Sequence, residues 1–195
     1  MRLIEPATGC IIIDSIDISM ISIADLRRKI TFIPKEPVIL NGSIRYNLDP
    51  DEKFSDAEIW DSLEVVGVKD VVSSLSSQLN GSIDELSGRE KYAINLTRAL
   101  LKHNKIVIYE TGSLYEDENT FTLIREQFST ATVLMIADKV DTFVMQCDRV
   151  VVIDKSTVAE FDSPAKLLAE SSSLFKRLSR QTRRRSVDVC STSGA

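Results

Sequence analysis

Cysteine and histidine, the residue types that most often bind metals or form disulfides, are few in this sequence and far apart. The three cysteines are Cys10, Cys147 and Cys190, and the single histidine is His103. No two of them have the close spacing of a zinc site. An odd number of distant cysteines also argues against a disulfide framework and favours a reducing compartment.

A serine followed three residues later by a glutamate predicts the start of a helix at Ser87. The Ser87 side chain can accept the N–H of Glu90 while the Glu90 carboxylate reaches back to the N–H of Ser87, which is a capping box. Apolar residues recur at helical spacing after this box. We therefore predict a helix from Ser87 to Lys102.

The C-terminal residues combine arginines with serine. Arg183-Arg184-Arg185-Ser186 resembles the site preferred by basic-directed serine kinases, so Ser186 is a candidate phosphorylation site. Two other interpretations stay open: a basic end that only increases solubility, and a segment that rests on an anionic membrane surface. The polar composition of residues 181–195 predicts a disordered tail.

Apolar runs alternate with helical patterns along residues 1–180, which we interpret as one domain. Runs rich in β-branched residues predict strands at 30–34, 105–109 and 132–137, and two more at 149–154 and 157–161 form a hairpin around Lys155-Ser156. A mostly helical stretch, at about 41–104, interrupts them. This order predicts an α/β domain with a mostly parallel sheet and a helical subdomain insertion.

Charge and hydropathy narrow the possible partners. The 195 residues carry a formal net charge of −5, which gives no general attraction for nucleic acid. No stretch reaches the roughly 20 apolar residues of a membrane helix. Contact with a membrane is therefore expected only through partners.

The most specific signal is the order of several short segments. They include Asp25-Leu26-Arg27, Ile33-Pro34-Lys35-Glu36-Pro37-Val38, Arg45-Tyr46-Asn47-Leu48-Asp49-Pro50, Leu96-Thr97-Arg98-Ala99-Leu100-Leu101 and Glu160-Phe161-Asp162-Ser163-Pro164. From Arg2 to about Leu178 the chain resembles the second nucleotide-binding domain of ABC transporters of subfamily C, the multidrug resistance-associated type.

This resemblance implies a P-loop NTPase-like fold, with ATP and Mg²⁺ as cofactors and a place on the cytoplasmic face of a membrane. It also implies two partners, a transporter membrane domain and a second nucleotide-binding domain. In that family two such domains enclose two ATP molecules, each held by the phosphate loop of one domain and the signature motif of the other. Hydrolysis drives export through the membrane domain.

The phosphate loop of that family, G-x-x-x-x-G-K-[ST], does not occur in this sequence. The family places it just before the segment that Met1-Arg2-Leu3 resembles. We therefore expect a truncated chain that binds neither ATP nor Mg²⁺ by itself. An incomplete gene model would explain the missing loop equally well.

By the same comparison, the signature motif and the metal-binding strand of this chain differ from the family pattern. Leu86, Ser87, Gly88, Arg89 and Glu90 stand where the family has Leu-Ser-x-Gly-Gln, so an arginine replaces the glycine and a glutamate replaces the glutamine. The charge of Arg89 can offset that of Glu90.

After the strand at 105–109, Glu110 occupies the position of the Mg²⁺-binding aspartate and Thr111 that of the catalytic glutamate. An alignment shifted by one residue would make Glu110 the base and place Tyr109 at the metal position. Either alignment loses one carboxylate.

Three further positions follow from the resemblance. Lys35 replaces the glutamine that contacts Mg²⁺, Asp138 replaces the histidine that contacts the γ-phosphate, and Asp117 keeps the aspartate of the D-loop. A cation at Lys35 repels the metal, and the acid at Asp138 repels phosphate.

These changes predict the C-terminal portion of a transporter nucleotide-binding domain that does not hydrolyse ATP. Two alternatives stay open: an active ATPase domain in a longer transporter with an upstream phosphate loop, and a freestanding non-catalytic interaction protein. We also expect Ile11, Ile13, Val107 and Leu134 to lie on a sheet with an uncovered edge or face.

Overall fold

A computed structural model describes residues 1–181, which form two compact units. The first unit ends at Ile136 and the second begins at Ala137. Ser186 and the three arginines before it lie outside the described residues, and the predicted domain boundaries stay a prediction. Within residues 1–181, every helix is too short or too polar to span a bilayer.

The first unit is built on three parallel strands. A short antiparallel hairpin, β1 (Ile12–Ile13) and β2 (Ile16–Asp17), leads into α1 (Ile23–Lys29), whose N-terminus is capped by Ser22. The sheet then consists of β3 (Ile30–Ile33), β4 (Ile106–Glu110) and β5 (Thr132–Ile136), in the order β3-β4-β5. The strands predicted near 30, 105 and 132 are therefore confirmed as one parallel sheet.

Helices fill the long connection between β3 and β4. They are α2 (Ile44–Leu48), α3 (Asp56–Val66), α4 (Lys69–Ser74) and α5 (Gly88–Leu101), and α6 (Glu118–Gln127) connects β4 to β5. Ser55 and Glu58 form a capping box at α3, and Gly67 ends that helix in the left-handed conformation at φ +80°. Buried aliphatic residues of α2–α5 form a separate core.

The two faces of the parallel sheet differ in burial. Val107 and Tyr109 are 0% and 1% exposed because they pack against residues of α5 and α6. The expectation that Val107 lies on an uncovered face was wrong, since β4 is the central strand and this side chain points toward the helices. Leu134 on the edge strand β5 is 54% exposed, so the expectation holds for this residue. Ile11 is also 54% exposed but lies just before β1 rather than on a sheet, and Ile13 in β1 is partly buried against a small cluster of isoleucines and Leu26.

The second unit contains an antiparallel hairpin and short helices. The strands β6 (Val150–Asp154) and β7 (Thr157–Asp162) pair as predicted around Lys155-Ser156, and α7 (Pro164–Ala169) begins with Pro164 after Ser163. Residues 174–181 are helical. A carboxylate from β7 caps the start of this helix. Glu160 accepts hydrogen bonds from the backbone N–H groups of Leu174 (2.6 Å) and Phe175 (3.0 Å) and from the Ser173 hydroxyl (3.0 Å).

We expect Glu160→Gln to lower the free energy of unfolding at neutral pH by about 1 kcal/mol, because the N–H groups lose a charged acceptor. Burial raises the pKa of Glu160, but the hydrogen bonds from Phe175, Leu174 and Ser173 outweigh it and hold the pKa below its ordinary value. The extra stability that Glu160 provides over glutamine is therefore fully present above the ordinary glutamate pKa. It is lost as the pH falls through the lower pKa of Glu160 in the folded state.

Thermal melts of both proteins from neutral pH to below the ordinary glutamate pKa would measure this difference. Glu170→Gln, which changes an exposed glutamate, is the matched control. A difference between wild type and Glu160→Gln that grew toward acid pH would contradict the capping role.

Candidate functional site

The carboxyl end of β4 places Glu110 beside the segment that follows β3. Glu110 is half-buried, and its Oε2 accepts the backbone N–H of Lys35 at 3.4 Å. The parallel pairing of β3 with β4 explains this proximity, because both strands end at the same edge of the sheet. The structure thus brings together two of the predicted positions, through the backbone of Lys35 rather than through its ammonium group.

Thr111 continues the path of β4 and is 5% exposed. Its backbone N–H donates to the carbonyl oxygen of Ile136 at 2.9 Å, which fixes it against β5. A threonine hydroxyl does not act as a general base near neutral pH. Of Glu110 and Thr111, the two residues that the resemblance assigns to metal binding and catalysis, only Glu110 carries a carboxylate.

Tyr109 points to the opposite face of the sheet from Glu110, as neighbouring residues of a strand do. It is 1% exposed, and its hydroxyl donates to Oε1 of Glu116. Burial, followed by this hydrogen bond to Glu116, raises the pKa of Tyr109. This location inside the core does not suit the metal position that the shifted alignment gives to Tyr109.

Glu116 also fixes the loop between β4 and α6. Its Oε2 accepts the N–H of Gly112 at 2.6 Å. Gly112 has a φ of +96°, a conformation that residues with a side chain rarely adopt. One carboxylate therefore ties the start of the loop to the tyrosine in the strand before it.

The predicted capping box is present at the N-terminus of α5. The Ser87 side chain accepts the N–H of Glu90 at 3.4 Å, and the N–H of Ser87 donates to Glu90 Oε2 at 2.6 Å. The Glu90 carboxylate is thus held next to the first turn of the helix. Its negative charge lies where the resemblance places a phosphate of the partner's nucleotide.

The phenol ring of Tyr115 lies over the first residue of α5. A Cβ atom built on Gly88 would lie 2.2 Å from the Tyr115 hydroxyl oxygen and 2.6 Å from its Cζ. The ring centroids of Tyr115 and Tyr92 are 6.3 Å apart, so the two tyrosines pack together at this end of the helix. The glycine at position 88 is required by the position of Tyr115.

Arg89 forms an ion pair with Asp117 across 28 residues of sequence. Arg89 Nη2 donates to Asp117 Oδ2 at 2.7 Å, while Asp117 Oδ1 caps α6 by accepting the N–H of Thr120 at 2.9 Å. The backbone N–H of Thr120 is the main cause that lowers the pKa of Asp117, opposed by burial and assisted by the Thr120 hydroxyl and by Arg89. Arg89 therefore pairs with the D-loop position and leaves Glu90 to the capping box.

These contacts decide whether the site fits ATP with Mg²⁺. Phosphate binding at a helix N-terminus needs backbone N–H groups and a favourable charge, but the carboxylate of Glu90 lies beside the first turn and Tyr115 packs beside Gly88. Within residues 1–181, no group of three or more His, Cys, Asp or Glu side chains is placed to hold a metal ion. With the Glu90 carboxylate and the Tyr115 ring in these positions, the residues at the N-terminus of α5 do not fit a triphosphate.

Asp138 lies on an exposed bend at the start of the second unit. Its role as a switch position therefore stays a prediction. The roles that the resemblance gives to Lys35 and Leu86 also stay predictions, because they rest on the sequence resemblance alone.

Sequence reasoning did not identify Tyr115, Glu116 or Tyr92 as part of this site. Tyr92 is 2% exposed, and its hydroxyl makes no hydrogen bond of normal geometry within the described residues, although the Tyr109 hydroxyl is close. Burial raises the pKa of Tyr92 to about 12, against a lowering effect of Tyr109. The only signal in the sequence was the placement of a large aromatic residue, Tyr115, in a short loop.

Known proteins match this chain at the level of family and fold. The family model described as ABC transporter matches residues 1–110, more than half of the chain. The chain belongs to the ABC transporter family. Curated relatives are of the predicted subfamily: multidrug resistance protein mrp-7 of Caenorhabditis elegans is 38% identical over 185 residues, and ATP-binding cassette sub-family C member 2 of Rattus norvegicus is 37% identical over 182 residues.

This ABC transporter chain spans about an eighth of the length of those relatives. The alignments cover 91% and 89% of the chain but 12% of each relative. They confirm that it is part of a nucleotide-binding domain of the multidrug resistance-associated type. The activity, substrates and partners of the whole transporter are proposals for this chain.

A solved structure supports the fold of this ABC transporter segment. A bacterial Atm1-family ABC exporter, solved with ATP bound, superimposes with a TM-score of 0.80 at 24% identity, covering 91% of this chain and 32% of the exporter. At this identity the match shows the fold. The predicted α/β class is confirmed.

Proposed function

We propose that this chain is a non-hydrolysing part of the nucleotide-binding domain of an exporter of the multidrug resistance-associated type. The observation that carries the proposal is Thr111, buried and fixed to β5 where the family places its catalytic carboxylate. A hydroxyl that is neither basic nor solvated does not activate a water molecule. Glu110 is the single carboxylate at the two positions that the resemblance assigns to metal binding and catalysis.

The closed N-terminus of α5 supports the same proposal. Tyr115 packs beside Gly88 and Arg89 is paired with Asp117, at the residues to which the resemblance gives contact with a partner's γ-phosphate. Exposed ion pairs contribute only about 0–1 kcal/mol, so Arg89 is held weakly. The aromatic ring is the stronger obstacle because it packs against Tyr92.

The proposal includes the partners and the location that the family implies. The chain would work against a transporter membrane domain and a second nucleotide-binding domain, at the cytoplasmic face of a membrane. It would serve as a non-catalytic, folded part of that assembly. Any ATP hydrolysis would be carried out by residues of another domain. The active alternative, a longer transporter with an upstream phosphate loop, requires a base other than Thr111.

Titration calorimetry with Mg-ATP tests the proposal on the 195-residue chain. We expect no saturable heat, because the sequence contains no phosphate loop and the residues at the α5 terminus do not fit phosphate. Glu110→Gln, which removes the remaining carboxylate, should give the same trace as wild type. Saturable binding in the low micromolar range, weakened by Glu110→Gln, would overturn the proposal.

A further inference from the structure

A small cavity lies beside α5, about two turns beyond the site at Gly88. Its volume is about 120 Å³, which is room for several water-sized groups. It lies between α5 and the end of β3. The residues that matter for its chemistry are Thr31, Phe32, Val38, Asn95, Arg98 and Lys102.

Asn95 is an unsatisfied donor on the wall of this cavity. Its side chain is 5% exposed, and its Nδ2 atom has no hydrogen-bond partner within the described residues. Leaving a buried amide without a partner costs about 1–3 kcal/mol. Most buried polar groups are paired, and an acceptor that reached Asn95 from the cavity would supply the bond that its Nδ2 atom lacks.

Two cations share the cavity wall with Asn95. None of the described lining residues is acidic, and within residues 1–181 neither Arg98 nor Lys102 forms an ion pair. The nearby carboxylate of Asp51 is bonded to Lys53. Two cationic side chains therefore line the cavity without an acidic residue on its wall, and the nearest carboxylate to act on Lys102 is that of Asp51.

Arg98 lines the cavity and uses only some of its N–H donors in bonds within the described residues. It donates from Nη1 to the Val38 carbonyl oxygen (2.9 Å), from Nη2 to Asn47 Oδ1 (3.3 Å) and from Nε to the Asn47 carbonyl oxygen. A guanidinium has five N–H donors, so two remain. Burial lowers the pKa of Arg98, and burial followed by the charge of Arg98 lowers the pKa of Lys102. A negative charge in the cavity would favour both charged forms.

We propose that this cavity binds one carboxylate group, held by the Asn95 amide and by the charges of Arg98 and Lys102. A carboxylate offers two acceptor oxygens and one negative charge, which suits a neutral donor beside two cations. Phe32 and Val38 are 41% and 55% exposed and give the cavity an apolar rim. This rim favours a carboxylate attached to carbon over an inorganic anion.

The bound carboxylate group could come from two sources, which are a small free carboxylic acid and a glutamate or aspartate side chain of a docked protein. Titration of the ¹⁵N-labelled 195-residue chain with sodium acetate, against sodium chloride at equal ionic strength, tests the proposal. We expect saturable shifts in the backbone signals of Ala99 and Thr31, which line the cavity.

Substitutions in the cavity wall identify the side chains that bind acetate. Lys102→Gln should weaken acetate binding about tenfold, because a hydrogen bond to a charged group is lost. Asn95→Leu should abolish binding. Lys155→Gln changes an exposed lysine in the turn between β6 and β7 and should leave the affinity unchanged. Because Lys102 is exposed, its variant remains informative if Asn95→Leu fails to fold.

Two further ligands distinguish the sources. Tighter binding of N-acetyl-glutamate α-amide than of acetate supports an acidic side chain of a protein as the occupant. Tighter binding of acetate supports a free acid. Saturation by inorganic phosphate alone, no saturable shift with any ligand, or equal shifts in wild type and Lys102→Gln would overturn the proposal.

Discussion

Asn47→Ala is expected to lower the free energy of unfolding by about 3 kcal/mol, a large effect for a polar side chain. Asn47 is 0% exposed. Its Oδ1 accepts the N–H of Leu40 at 2.8 Å, and its Nδ2 donates to the carbonyl oxygens of Leu40 (2.8 Å) and Ser43 (3.0 Å). Alanine removes these bonds and leaves the part-buried N–H and carbonyl groups of Leu40 without these partners, while the Ser43 carbonyl oxygen keeps only the backbone N–H of Asn47.

Urea denaturation followed by the fluorescence of Trp60, the single tryptophan, would measure this loss close to the affected core. Asn119→Ala makes the same substitution at an exposed position of α6 and should change stability by no more than about 0.5 kcal/mol. Equal small losses in both variants would show that Asn47 does not hold the segment before α2.

Gly88→Ala is expected to cost about 2 kcal/mol, because the new methyl group collides with the Tyr115 ring. In a Tyr115→Ala background the same substitution should cost nothing or stabilise the protein slightly, since alanine forms helices better than glycine. The two changes should therefore couple by about 2 kcal/mol.

A double-mutant cycle in urea gives this coupling free energy directly. Additive effects of the two substitutions would mean that Tyr115 does not cover the N-terminus of α5 in solution. This result would also remove the main structural reason for excluding phosphate from that position.

Local patterns in the sequence predicted the elements of this fold well. The capping box of Ser87 and Glu90 depends on residues three positions apart, and the hairpin at Lys155-Ser156 depends on two adjacent runs of β-branched residues. Such features follow from short-range geometry, so they can be recognised without knowing the tertiary structure.

The candidate site was less predictable because its contacts are long-range. Arg89 and Asp117 are 28 residues apart, and their pairing depends on the path of the loop after β4. That path is set by Glu116, whose bonds to Gly112 and Tyr109 have no signature in residue spacing. The family resemblance identified the altered positions of the signature motif, but it gave no indication that Tyr115 packs beside Gly88 in that motif.

The central claim, that this chain has lost ATP hydrolysis, is tested most directly by phosphate release. Wild type and Glu110→Ala should both release phosphate from Mg-ATP at the rate of buffer alone, because Thr111 supplies no base. A wild-type rate above the buffer rate that falls to background in Glu110→Ala would show that Glu110 supports catalysis and would contradict the claim.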